Sequence, residues 1–171
     1  MKKNCILIPV GDSPNSRHAV QRAAAEFLEN PNLHVHLLNV QTPLPRHISQ
    51  FLGPRTRGDW HRDRAEEALA PAREILKRHS IPFEEHTRLG PKAEMIVEEA
   101  RRLKVDRILM ATARKNSLTR MLEDSTTNNV LELTPVPVEL VAGDAVSPLE
   151  KFGVPAGIGG AIALLVAAAL D

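Results

Sequence analysis

A chain of 171 residues with 43% hydrophobic and 25% charged residues has the composition of one globular domain able to bury a sizeable core. A formal net charge of +1, one Trp, four Phe and no Tyr give neither a basic field for nucleic acid nor a base-stacking platform, and leave the core to aliphatic side chains. One cysteine excludes an internal disulfide; its place in the apolar run Cys5-Ile6-Leu7-Ile8 predicts a buried, inert thiol.

Met1-Lys2-Lys3-Asn4 leads directly into a strand, with no apolar signal segment, so the domain is expected in the cytoplasm. Cys5–Val10 is a continuous apolar run of strand length, the pattern of a parallel strand covered on both faces. Gly11 to Ser16 supplies turn and capping residues, and Val20, Ala23, Ala24, Phe27 and Leu28 then recur at helical spacing. Asn30-Pro31-Asn32 ends that helix and Leu33–Val40 is a second strand, which completes a βαβ unit. Gln41 to Arg57 reads as a long connection rich in Pro and Arg, of the kind that forms lids.

Trp60–Arg78 is a predicted helix, bent at Pro71. Pro82–Arg88 is a more polar strand, expected near an edge. Gly90-Pro91 opens a helix over Lys92–Leu103 that buries Met95, Ile96, Ala100 and Leu103. Ile108–Ala111 is a fourth strand, Ser125–Leu133 a last helix, and Val136–Val141 a last strand whose Pro137 argues for an edge. The order predicts an α/β fold: a doubly wound, mostly parallel five-stranded sheet with helices on both faces, over residues 1–143. Residues 144–171 form a linker and a Gly/Ala-rich tail.

The segment from Asp106 to Ser117, running on to Asp124-Ser125, is strand, loop and helix start. Phosphates bind in that frame, at the carboxyl end of a strand and the positive end of a helix. No glycine lies between Met110 and Ser125. The frame is present without the residues that let a phosphate approach the backbone.

Several pieces, in order, carry a family resemblance. They are Ile6-Leu7-Ile8-Pro9-Val10, Ser13 and Ser16 before an alanine-rich helix, Leu37-Leu38-Asn39-Val40, and Ile96 with Ala100. Asp106-Arg107-Ile108-Leu109-Met110 follows, and then Ser125 through Pro135-Val136-Pro137-Val138-Glu139-Leu140-Val141. Over about residues 3 to 142 the chain resembles the universal stress proteins of the UspA type. The resemblance implies the adenine nucleotide α-hydrolase-like fold, a homodimer through the last strand, Val136–Val141, and a nucleotide site. That site falls on Val10, Gly11, Asp12, Val40, Met110, Ala111, Arg114, Lys115, Ser125 and Thr126. Nucleotide-binding members carry G-x-x-G-x9-G-[S/T] in the last loop, and here Ala111, Arg114 and Asp124 stand at the glycines, with Ser125 retained. The family's acidic residue after the first strand falls on Gly11, with Asp12 one place later. Arg114 sets a long side chain where backbone should meet the ligand, and Asp124 sets a carboxylate beside the expected phosphates. Asp124 also reads as a helix cap.

Arg114, Lys115 and Arg120 form a basic cluster in this loop, read first as a solvated surface group and second as side-chain contacts to an anion. Arg46, Arg55 and Arg57 are candidates to converge on it. The seven histidines show no metal pattern: His34 and His36 share a strand face, but no third spaced ligand accompanies them. No Ser-His-Asp arrangement declares a nucleophile.

Phe152–Leu170 is a run of roughly nineteen uncharged residues, about the length of a bilayer-spanning helix. It has three readings: a membrane anchor beginning after Lys151, an element packed on the domain or a partner subunit, or a disordered tail. The expectation is a non-catalytic stress-response protein, cytoplasmic and homodimeric, acting through protein contacts, with no cofactor, no metal and no catalytic residue. The alternatives are a member binding ATP or AMP through a modified loop, and a membrane-tethered regulator of a transporter.

Overall fold

Burial along the strands alternates between two apolar sets, and each set faces a different layer of helices. The computed structural model describes residues 4–114 and 126–145. The expectations placed on Lys115, Arg120, Asp124 and Ser125, on the Arg114 side chain and on Phe152–Leu170 lie outside the described residues and side chains. The elements are β1 (Asn4–Pro9), α1 (Ser16–Glu29), β2 (Leu33–Gln41), α2 (Arg46–Ser49), α3 (Pro54–Arg78), β3 (Phe83–Leu89), α4 (Lys92–Leu103), β4 (Arg107–Arg114), α5 (Thr126–Leu133) and β5 (Val138–Ala145).

The strands form one five-stranded sheet in the order β3-β2-β1-β4-β5, and every pairing is parallel. The expected doubly wound α/β fold is therefore present. On one face Ile6, Ile8, Val35, Leu37 and Leu109 pack against Ala19, Val20 and Ala23 of α1 and Leu69, Ala72 and Leu76 of α3. On the other, Leu7, Leu38, Ile108 and Met110 pack against Ala93, Ile96, Val97 and Ala100 of α4 and Val130 of α5. Period-two alternation sends neighbouring residues such as Leu7 and Ile8 to opposite cores, so a strand buried on both faces reads as an unbroken apolar run. The small residues of α1 let that helix lie close on the sheet. Cys5 is only half-buried and packs at the margin of the second core.

Both expected edges are edges. β3 lies at one end of the sheet and β5 at the other. Pro137 sits just before β5, where its missing N–H costs no ladder bond and its carbonyl accepts from Ile108 N at 2.9 Å.

Several elements differ from the sequence reading, the last strand among them, which runs over Val138–Ala145 and not Val136–Val141. The connection expected over residues 41–57 contains α2 and the first turns of α3. Pro54 stands at the first positions of α3, where proline favours a helix start instead of stopping one. α3 then runs unbroken through Pro71 for 25 residues, even though that ring removes one intrahelical donor. β4 continues past Ala111 to Arg114, held by Ala111↔Val141, Thr112↔Ala142 and Arg114↔Ala145, with an irregularity between Thr112 and Arg114. Arg114 is thus a strand residue, not a loop residue, because β5 extends alongside it to Ala145. Among the described residues no helix is long and apolar enough to cross a membrane.

Candidate functional site

The chain leaves β1 toward β2 on one side and is continued by β4 on the other, so the sheet's switch point lies between β1 and β4. Ligands of open α/β sheets bind outside the carboxyl ends of the strands at such a point, because the connecting loops diverge there and leave a crevice. A cleft of about 260 Å³ occupies this place. Val10 and Gly11 at the end of β1, Val40 of β2, and Met110 and Ala111 of β4 line it, with Asp12 at the rim. Ser16 opens α1 and Thr126 opens α5 on its border, so two helix amino ends approach the same space.

Two further hollows flank this cleft and share Gly11 and Asp12 with it. One, of about 270 Å³, is bounded by Asn39, Val40, Gln41, Trp60, Arg64 and Lys92. The other, of about 480 Å³, lies between the β1–α1 loop and α3 and is bounded by Arg17, Arg64, Glu67, Ala68 and Pro71.

The family resemblance implies Val10, Gly11, Asp12, Val40, Met110, Ala111 and Thr126 for one site, and the fold brings all seven together around the cleft. Arg46, Arg55 and Arg57 line none of the three hollows; Arg64 does. Its guanidinium reaches Asp12 at 3.1 Å and Glu67 at 3.1 Å. The Asp12 carboxylate, displaced by one place from the family position, is therefore drawn toward α3. The pair is exposed, with side-chain accessibilities of 66% for Asp12 and 40% for Arg64, so it orients more than it stabilises. Gly11 itself has open space where a Cβ would stand, so the absence of a side chain there is not enforced by packing.

Asn39 fixes the floor. Its side chain is 1% exposed, donates to the Val10 carbonyl at 2.8 Å and accepts from Gln41 Nε2 at 2.6 Å. Val10 N donates in turn to the Leu38 carbonyl at 2.8 Å, so the point where β1 leaves the sheet is held from both sides. Gly90 closes the neighbouring corner. Its N–H donates to the Gln41 carbonyl at 2.9 Å, its φ is +154°, and an added Cβ would stand 3.0 Å from Met95 Cγ and Sδ. Only glycine combines that backbone with that space.

Asn39, Trp60, Arg64 and Lys92 are site residues that the sequence reading passed over. A polar residue inside the apolar run Leu37-Leu38-Asn39-Val40 was a signal for the first. Nothing local marks the others, because their nearness to Asp12 depends on how α3 and α4 dock. On chemistry, the described part offers an apolar floor, one carboxylate engaged with a guanidinium, two helix amino ends and the Lys92 ammonium. It presents no nucleophile–base pair.

A family model described as the universal stress protein family matches residues 4–142. Among solved structures the chain is similar to hypothetical protein MJ0577, with 26% identity over 84% of this chain and 99% of that one and a TM-score of 0.63. It is also similar to the universal stress protein UspA from Lactobacillus plantarum, with 17% identity, coverage of 82% and 99%, and a TM-score of 0.64. A universal stress protein in complex with cAMP aligns at 19% identity, with coverage of 82% and 98% and a TM-score of 0.61. No curated protein matches the chain.

Proposed function

Because the chain belongs to the universal stress protein family, we propose that it is a non-catalytic stress-response protein that works as a homodimer through protein contacts. In this reading it does not hold ATP in the family's usual way. The observation that carries the proposal is the course of β4. The first part of the segment where a glycine cradle would curl around phosphates, Ala111 to Arg114, stays paired with β5, with an irregularity between Thr112 and Arg114. The amides of this stretch that bond to β5 are not free to wrap an anion, and Ala111 and Arg114 replace glycines that would open the turn. The dimer rests on the exposed edge of β5, where Leu140 is 46% exposed and one side of the strand has no partner strand among the described residues.

A second reading is favoured by the half of the cleft that is assembled. Val10, Asp12, Val40 and Met110 surround a space suited to an adenosine-sized ligand, and a structural relative is in complex with cAMP. On this reading the protein holds an adenosine monophosphate, cyclic or not, without a triphosphate cradle.

Calorimetric titration with ATP, AMP and cAMP tests both. The first reading predicts no stoichiometric binding of any of them; the second predicts AMP or cAMP bound and ATP at least tenfold weaker. Stoichiometric ATP binding overturns both. Light scattering on the eluting protein checks the dimer: a dimer that becomes monomeric with Leu140→Glu is expected, and a monomeric wild-type chain would refute assembly through β5.

A further inference from the structure

His36 stands on β2 opposite Glu84 of β3, and His86 follows two residues after Glu84. With a side-chain period of two, all three project from one face of the sheet, the face covered by α4. His36 Nδ1 lies 3.1 Å from His86 Nε2 and 3.8 Å from Glu84 Oε2, and the three donor atoms fall within 4.8 Å of one another. The sequence shows His34 and His36 without a third ligand; strand register supplies two more from fifty residues away.

We propose that His36, Glu84 and His86 form a zinc-binding site that clips the edge strand β3 to β2. Two imidazole nitrogens and one carboxylate oxygen are the donor set of three-ligand zinc sites, whose fourth position is left to water. Ligand atoms about 2.1 Å from a tetrahedral zinc stand about 3.4 Å from one another. The observed 3.1 Å and 3.8 Å bracket that value and the third separation is at most 4.8 Å, so side-chain adjustments of about an ångström seat the ion. His36 is 9% and His86 15% exposed in their side chains, while Glu84 is 65% exposed and gives the ion a path from solvent.

The outer layer suits the same role. Glu99 of α4 is 1% exposed and sets a carboxylate oxygen 3.4 Å from His86 Nδ1, the ring nitrogen turned away from His36. A carboxylate behind a histidine fixes the ring and leaves its other nitrogen to the metal. Arg102 grips both oxygens of Glu99, and Arg88 reaches one at 3.2 Å, so this carboxylate keeps its place. Arg102 Nη2 also stands 3.5 Å from His86 Nδ1, so zinc at Nε2 requires the tautomer in which Nδ1–H faces Glu99 instead of accepting from Arg102. A hard oxygen-seeking ion such as magnesium has too few oxygens here.

Isothermal titration of the full chain with zinc chloride, and separately with magnesium chloride, tests the site. One tightly bound equivalent of zinc and no magnesium are expected. Glu84→Gln, at an exposed position, should weaken zinc at least about tenfold, since even partners behind the ligands are worth that much. His86→Gln should abolish the tight equivalent, together with the intense visible bands of cobalt substituted at a tetrahedral site. If His86→Gln does not fold, Glu84→Gln and the cobalt spectrum of the wild type decide. Wild-type zinc affinity in Glu84→Gln would place any bound ion on other histidines and overturn the proposal, as would the absence of a tight equivalent in the wild type.

Discussion

Replacing Asn39 by alanine tests whether the floor of the cleft is held by one buried amide. The substitution removes the 2.8 Å bond to the Val10 carbonyl and the 2.6 Å bond from Gln41. Gln41 is partly exposed and recovers a bond to water. The Val10 carbonyl, on a residue 4% exposed, does not recover one as readily. Leaving a buried acceptor without a donor costs about 1–3 kcal/mol, and ~2 kcal/mol is the expected loss. For a domain of this size that lowers Tm by about 4–8 °C. Asn39→Asp sharpens the test. It keeps the shape and the oxygen that accepts from Gln41, but turns the donor into a carboxylate oxygen facing the Val10 carbonyl, so it should cost at least as much as alanine. Urea unfolding followed by circular dichroism measures both, and an unchanged denaturant slope would assign the shift in midpoint to stability. A loss under ~0.5 kcal/mol for alanine, or an aspartate variant as stable as wild type, would refute the view that this amide holds the end of β1.

Other outcomes follow from the same geometry. Glu99 is held below the usual carboxylate range of about 4.5, chiefly by its hydrogen bonds from Arg102 and against the effect of burial. Below 4.5 the unfolded chain takes up that proton first, so stability should be present above this pH and fall as pH drops through the folded value. Glu99→Gln should flatten this acid limb in thermal melts across pH 3 to 7; an unchanged limb would assign it to other carboxylates. Gly90→Ala should cost about 1–3 kcal/mol, because φ is unfavourable for an L side chain and Met95 stands at 3.0 Å. Adding Met95→Ala should recover only the steric part of the loss, and full recovery in denaturant melts would contradict the backbone component. Gly11→Asp should leave the melting temperature within ~1 °C, since open space stands where the Cβ goes.

By itself the amino-acid sequence determined the layers and the order of elements. Unbroken apolar runs such as Cys5–Val10 have the pattern of strands buried on both faces, and the 3.6-residue spacing around Ala93, Ile96 and Ala100 has that of a helix lying on them. It also determined the family, because the ordered pieces from Ile6 to Val141 are local in sequence. Elements whose character depends on neighbours were less legible. The connection after β2 read as loop because Pro54 resembles a stop until it is seen to begin a helix, and β4 read as ending at Ala111 because only pairing with β5 carries it to Arg114.

Tertiary structure alone decided which side chains meet. Asp12 and Arg64 are 52 residues apart, Asn39 and Val10 are 29 apart, and His36 and His86 are 50 apart. Periodicity tells which face of an element a residue occupies, but not the register of the strand beside it or the angle at which a helix docks. Register is set by summed burial over whole strands, since a one-residue slip would turn each core face to solvent. No local pattern contains that sum, so the strands and helices were readable residue by residue, while the ion pair beside the cleft and the histidine pair were not.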